Sequence, residues 1–267
     1  MKKKFMQWLL LAAVILFYAA CSKGHAPESN TFVLVHGAWQ APYVWNTVKG
    51  ELEKAGQKVV VVELPSHGDD FTSPAVVSID LYRDKVISAI VGTNEKVILV
   101  GHSLGGVVVS AVAEKIPSKI KKLIYLACFL PANGQSLLDL ANEDAQSLLG
   151  PALIPSKDQL TLDVKHDEIT SIFCQDGSDA VKKLVLDNFR PEPAIPFTNK
   201  LTLTDDNFGS VDKYYIHTLE DHAIGIDLQN KMADAAHITK TFSLTTGHSP
   251  FLTQPDEVTK ILLKIAN

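Results

Sequence analysis

Apolar positions along this chain gather into short dense blocks, and between the blocks they recur at helical spacing. Thr31 to Val35 is the first block and reads as a strand, followed by a helix near Val44 to Ala55. Lys58 to Leu64 holds four consecutive valines, the mark of a strand buried on both faces. Asp80 to Val91 fits a helix, Lys96 to Val100 (KVILV) a second buried strand, Leu104 to Lys115 a helix and Lys122 to Ala127 a strand. This alternation predicts an α/β fold, a mostly parallel central sheet with helices on both faces. From about Phe129 to Phe208 the rhythm breaks into leucine-rich helical segments and turns containing Pro and Asp, with no clear buried strand. It resumes with strands at Asp212 to His217 and Thr239 to Leu244 and helices at Ile226 to Ala235 and Pro255 to Ile265. The pattern divides the chain into a core, residues 31–128 and 209–267, and an inserted, mainly helical cap, residues 129–208.

The first thirty residues follow another pattern. Lys2, Lys3 and Lys4 precede a nearly continuous apolar run from Phe5 to Ala20. Sixteen residues is short for a membrane span and suits a secretory signal, residues 1–20. The run ends in Tyr18-Ala19-Ala20-Cys21, which resembles a bacterial lipobox with Tyr18 where Leu is usual. Cleavage before Cys21 and lipidation of its thiol are expected, with an ordinary cleaved signal or a short uncleaved anchor as the alternatives. Residues 21–30, ending in the polar run SKGHAPESN, read as a tether. The expected location is the bacterial envelope, on the periplasmic side or the cell surface.

Composition narrows the function classes. Apolar residues make up 46% and charged residues 21% of 267, the balance of a soluble globular protein. Net charge is −5, and losing the leader removes three of 25 basic residues, leaving 22 against 30 acidic. Nucleic acid is therefore excluded as an expected partner, and a membrane is expected only through the lipid anchor. Cys128 and Cys174 do not make a disulfide framework, and Cys128, ending an apolar strand, reads as a buried inert thiol. No Cys/His cluster has metal-ligand spacing, and no metal or organic cofactor is implied.

The chemistry concentrates in Gly101-His102-Ser103-Leu104-Gly105-Gly106, a G-x-S-x-G between strand KVILV and an apolar helix. That context is the nucleophile elbow of the α/β-hydrolase fold. Its strained turn lifts the Ser103 hydroxyl above the sheet, and Gly101 and Gly105 leave no side chain to block the tight crossing. The following helix start supplies N–H donors for a developing negative charge, foremost that of Leu104. His36-Gly37 follows the first strand, where this fold places its second oxyanion donor, here the N–H near Ala38; Gly37 allows close backbone approach.

The fold orders its triad Ser, acid, His, so the base lies late. His248 alone follows the last strand, in the turn Thr246-Gly247-His248-Ser249-Pro250, where a loop can carry it over Ser103. His102 is expected to face away from the reaction. The acid is open among Asp221, Glu220 and Asp227, with Asp221 preferred because it follows strand YYIHT at its C-terminal end.

FVLVHGAW, KVILVGHSLGG, FGSVDKYYIHTLEDHAI and GHSPFL resemble the plant methylesterase and hydroxynitrile lyase family of α/β-hydrolases. The resemblance covers most of residues 31–267 and is thinnest from about Gln135 to Lys200. It implies a nucleophile at Ser103, an acid at Asp221, a base at His248, and a cap roofing the acyl or alcohol pocket. The lyases carry Thr where Gly37 stands and, directly after the histidine, a Lys that stabilises departing cyanide. Here those places hold Gly37 and Ser249, and His102 and Leu104 look like the esterase version. The expected activity is serine-dependent hydrolysis of small apolar or aromatic carboxylic esters. Cyanohydrin cleavage and a non-catalytic ligand-binding module are the alternatives. The cap leucines (Leu137, Leu138, Leu140, Leu148, Leu149, Leu153) fit either an apolar pocket or the cap's own core.

Overall fold

The computed structural model describes residues 29–267. The expected signal, Cys21 and most of the tether lie outside the described residues. Ser29 and Asn30 already belong to the fold: Ser29 donates to the Gly56 carbonyl at 2.9 Å, and Asn30 N–H donates to Gln57 Oε1 at 2.9 Å. The last two residues of the expected tether are thus part of the fold. Among the described residues no helix is long and apolar enough to cross a membrane.

Six strands form the central sheet: β1 (Thr31–Val35), β2 (Lys58–Val62), β3 (Val97–Ser103), β4 (Ile120–Cys128), β8 (Lys213–Thr218) and β9 (Thr241–Leu244). Their order is β2-β1-β3-β4-β8-β9, and every pairing is parallel. Side chains alternate between the faces. Phe32, Leu34, Ile98 and Val100 pack on one face with Val48 and Leu52 of α1 (Asn46–Lys54) and Val258, Leu262 and Ile265 of α5 (Pro255–Ala266). Val33, Val35 and Leu99 pack on the other with α2 (Ile79–Val91), α3 (Gly105–Lys115) and α4 (Ile226–Ala235). The apolar positions of α5 fall at i, i+4 and i+7, one stripe of a helix; fully burying each such side chain contributes about 1.5–3 kcal/mol.

Strand order reverses at β1, with β2 on one side and β3 on the other. Helices that follow these strands leave on opposite faces, which opens a crevice at the carboxyl ends of β1 and β3. Gly37-Ala38 and Ser103-Leu104 sit there.

The segment between β4 and β8 carries short helices (Leu137–Ala141, Leu149–Ala152, Ile169–Phe173, Asp179–Asn188, Ile195–Thr198). It also holds a small antiparallel sheet, β5 (Leu153–Pro155), β6 (Thr161–Val164) and β7 (Glu192–Pro193), which the apolar pattern does not announce. Strands of two to four residues are too short to show alternation. Leu137, Leu140 and Leu149 are buried in the core while Leu138 and Leu148 are exposed, so the cap leucines build the insertion itself.

Candidate active site

Ser103 ends β3 with φ 54°, in the left-handed region that costs a side-chain-bearing residue energy. The turn closes because its glycines are bare. A Cβ on Gly101 would stand 2.7 Å from the Gly105 carbonyl oxygen, and one on Gly105 would stand 2.8 Å from that of His36. Pairing with β4 slips at this point, between His102 and Ser103. Gly37 meets the elbow from the β1 side: a Cβ there would come within 2.7 Å of Ser103 Cβ and 2.9 Å of His102 Nδ1. Among the described residues neither the Ala38 nor the Leu104 N–H has a hydrogen-bond partner, although both residues are buried. Two unsatisfied donors beside one raised hydroxyl are a costly arrangement in a core, and a useful one for binding an oxyanion.

That packing makes Gly37→Ala informative. The added carbon meets Ser103 Cβ, a backbone-fixed atom, so the loop or the elbow must shift. Displacing reacting groups by about 1 Å costs on the order of 10²-fold in rate. A loss of that size in kcat, with folding retained by circular dichroism, is the expected result.

His248 Nδ1 donates to Asp221 Oδ2 at 2.9 Å, and both side chains are buried. Asp221 is held from every side. Its Oδ1 accepts from the Ala223 and Ile224 N–H groups at 2.8 and 2.9 Å, and its Oδ2 from the Thr218 hydroxyl at 2.7 Å and Gln229 Nε2 at 3.4 Å. So many donors fix the orientation of this carboxylate. Glu220 and Asp227 are exposed, which leaves Asp221 as the carboxylate turned toward His248. Thr218 and Gln229 are site residues that sequence reasoning missed; Gln229 lies eight residues past Asp221, in the first turn of α4.

His102 does not face away, as expected from sequence. Its Nε2 donates to the His248 carbonyl at 2.8 Å, and the two rings lie 4.6 Å apart. The bond fixes the neutral Nε2–H tautomer, with Nδ1 buried and unpartnered. Burial, and then the neighbouring His248, holds its pKa well below the ordinary value. His36 is also neutral: Nε2 accepts from the Leu64 N–H at 3.2 Å, so Nδ1–H donates to the Gly37 carbonyl at 2.9 Å. That contact orients the planar peptide whose other end is the Ala38 N–H.

These two rings set an acid limit. Burial, reinforced by the His67 charge, pushes His36 from its ordinary 6.5 down to about 3. Below pH 6.5 the unfolded chain takes up protons that the folded chain refuses, so acid favours unfolding. Each ring contributes a slope of up to about 1.4 kcal/mol per pH unit. Urea midpoints are expected to fall steadily from pH 6.5 toward pH 4; a flat profile over that range would contradict the neutral assignment.

The insertion touches both the loop after β1 and the loop after β9. Phe173 lies 5.8 Å from the His248 ring and, with Phe197, flanks Trp39 at 5.6 and 5.7 Å, centroid to centroid. Asp176 accepts from the Thr246 hydroxyl and, at 3.1 Å, from the Gly247 N–H. Cys128 and Cys174 are free and buried; burial raises the Cys128 thiol and pushes Cys174 up to about 11. A cavity of about 570 Å³ opens elsewhere, lined by Leu140, Leu203, Phe208 and Met232 among others. Neither Ser103 nor His248 borders it, and its lysines are engaged: Lys231 with Glu143 and Lys240 with Asp212, both at 2.6 Å, and Lys213 with the Gly209 and Val211 carbonyls at 3.0 and 2.9 Å.

Residues 32–261 match the alpha/beta hydrolase family. The chain belongs to the alpha/beta hydrolase family. Over 251 residues it is 33% identical to putative methylesterase 11, chloroplastic, of Arabidopsis thaliana. That similarity covers 90% of this chain and 64% of the relative, so the chain spans less than two thirds of that protein. It is 28% identical over 265 residues to an alpha-hydroxynitrile lyase of the same plant, covering 90% of this chain and 98% of the lyase. Among solved structures, the extracellular alpha/beta-hydrolase from a Paenibacillus species superposes with a TM-score of 0.76 at 26% identity. It covers 88% of this chain and 98% of its own. Proteins named for two different activities stand among these alpha/beta hydrolases, so the site residues must decide between them.

Proposed function

We propose that this alpha/beta hydrolase is a serine-dependent carboxylic ester hydrolase acting on small apolar or aromatic esters. The observation that carries the reading is the buried Asp221–His248 contact on the loops that follow β8 and β9, with the strained Ser103 flanked by two unpartnered N–H groups. His248 accepts the Ser103 proton as the hydroxyl oxygen attacks the ester carbonyl. The Ala38 and Leu104 N–H groups stabilise the tetrahedral oxyanion. Collapse breaks the bond to the alcohol oxygen, which leaves with the proton from His248. Water, deprotonated by the same ring, then releases the acid and restores Ser103. Phe173 beside His248, with Trp39 packed against it, supports an apolar or aromatic group in the substrate.

Two features favour hydrolysis over cyanohydrin cleavage. Ser249 follows His248 where the lyases carry lysine, and its hydroxyl accepts from Gln40 Nε2 at 3.2 Å. The threonine of the lyases has no room at Gly37. A panel of p-nitrophenyl and aryl methyl esters of increasing acyl length tests the reading. Turnover of short or aromatic esters without cyanide release from mandelonitrile is expected; the reverse pattern would install the lyase.

The location is part of the same proposal: export, with lipid on Cys21. Mass spectrometry of the mature N-terminus is expected to show a diacylglyceryl cysteine, and an unmodified N-terminus elsewhere would exclude it.

A further inference from the structure

One buried ion pair lies outside the triad. Glu192, on β7 of the insertion, is fully buried and accepts three hydrogen bonds: from His67 Nε2 at 2.6 Å, Tyr82 hydroxyl at 3.0 Å and Trp39 N–H at 2.9 Å. His67 Nδ1 meets the Pro65 carbonyl at 3.0 Å. Both partners of this ring only accept, so both ring nitrogens donate and His67 is an imidazolium. Burial opposes that charge, but the Glu192 charge and hydrogen bond overcome it and raise the His67 pKa.

The group at the far end of this pair is Trp39, next to Ala38. Trp39 holds a left-handed backbone, φ 59°, which a bulky residue adopts only when its surroundings enforce it. The insertion supplies the enforcement at three points. Besides Glu192 on the N–H, the Leu162 carbonyl accepts from the indole N–H at 2.8 Å, and the Arg190 N–H donates to the Trp39 carbonyl at 3.4 Å. On the other side His36 holds the Gly37 carbonyl. The peptides before and after Ala38 are therefore both pinned, one from the core and one from the insertion.

We infer that Glu192, held in place by His67, is a positioning residue for the oxyanion hole: it holds Trp39 in its strained conformation and so aims the Ala38 N–H. The inference rests on the esterase reading above. Neither residue touches substrate, and both act through the backbone of the β1 loop.

The test compares wild type, Glu192→Gln, His67→Gln and His67→Leu on a p-nitrophenyl ester and on an aryl trifluoromethyl ketone. The ketone adds Ser103 as a hemiketal whose oxyanion needs the hole, whereas KM reports mainly ground-state binding. Losing one oxyanion donor outright costs about 10²–10³-fold, so loosening one is expected to cost about 10–100-fold. Glu192→Gln should lower kcat and ketone affinity by the same factor, with KM changed less than about threefold on that scale. His67→Leu, which strands the Glu192 charge, should match it; His67→Gln, which keeps a donor, should recover most of the loss. Folded Glu192→Gln protein with kcat and ketone affinity within about twofold of wild type would overturn the inference, as would a kcat loss with unchanged ketone affinity. If Glu192→Gln does not fold, equal losses in the two His67 variants would overturn it. A folded wild type that neither cleaves the ester nor binds the ketone would instead overturn the esterase reading.

Discussion

Ser103→Ala is expected to lower kcat for ester hydrolysis by about 10⁶-fold, the scale on which a hydrolase loses its nucleophile. Fold and ground-state binding should survive. Ser103 is 7% exposed and makes no side-chain hydrogen bond among the described residues, so removing its oxygen strands no buried partner. Alanine would occupy the same left-handed backbone, φ 54°, without extra bulk. The thermal midpoint should move little and KM should change by a few fold at most, while kcat collapses. The rate left over measures what the oxyanion donors accomplish without the hydroxyl. Loss of activity together with a large fall in thermal midpoint would assign Ser103 a structural role instead.

Asp221→Asn is expected to lower kcat by about 10⁴-fold with KM nearly unchanged, because it turns the tautomer of His248 over. The local hydrogen bonds force this outcome. The Ala223 and Ile224 N–H groups both donate to Oδ1, so an asparagine must place its carbonyl oxygen there. Its NH₂ then occupies the Oδ2 position, 2.9 Å from His248 Nδ1. An N–H donor at that point requires Nδ1 to accept, which leaves the proton on Nε2, the nitrogen that must take the serine's. The Thr218 hydroxyl can rotate to accept from the new amide, so stability should fall only modestly. Lost rate should return partly as pH rises and solvent base substitutes for the ring. A variant within about tenfold of wild type would remove Asp221 from the mechanism.

The sheet was legible because a strand buried on both faces leaves an unbroken apolar run, as in Val97–Val100. The valine run of Lys58–Val62 predicts the same double burial, but β2 is the edge strand and its Val59, Val60 and Val61 are only half-buried. The elbow was legible because Gly101 is required by a backbone contact within the motif, although the contact that requires Gly105 comes from the His36 carbonyl of the neighbouring loop. β3 nonetheless continues through the motif to Ser103, since His102 and Ser103 still pair with β4 across a register slip that no residue pattern reports. Asp221 could not be separated from Glu220 and Asp227 by spacing alone; burial separates them. Glu192 gave no local signal. It meets Trp39 across 153 residues, and a lone carboxylate between two prolines becomes a buried acceptor only after the insertion folds back. The His102 tie to His248 spans 146 residues and was hidden for the same reason. Chemistry carried by local turn geometry can be read from residues in order, whereas support from distant elements requires the fold.

Covalent capture reports whether Ser103 is the activated nucleophile, independently of any ester substrate. Intact-mass analysis after incubation with a fluorophosphonate is expected to show one adduct per chain. Peptide mapping should place that adduct on Ser103, and Ser103→Ala should remain unlabelled. Folded wild type that stays unmodified, or a Ser103→Ala variant labelled at the wild-type rate, would contradict the account.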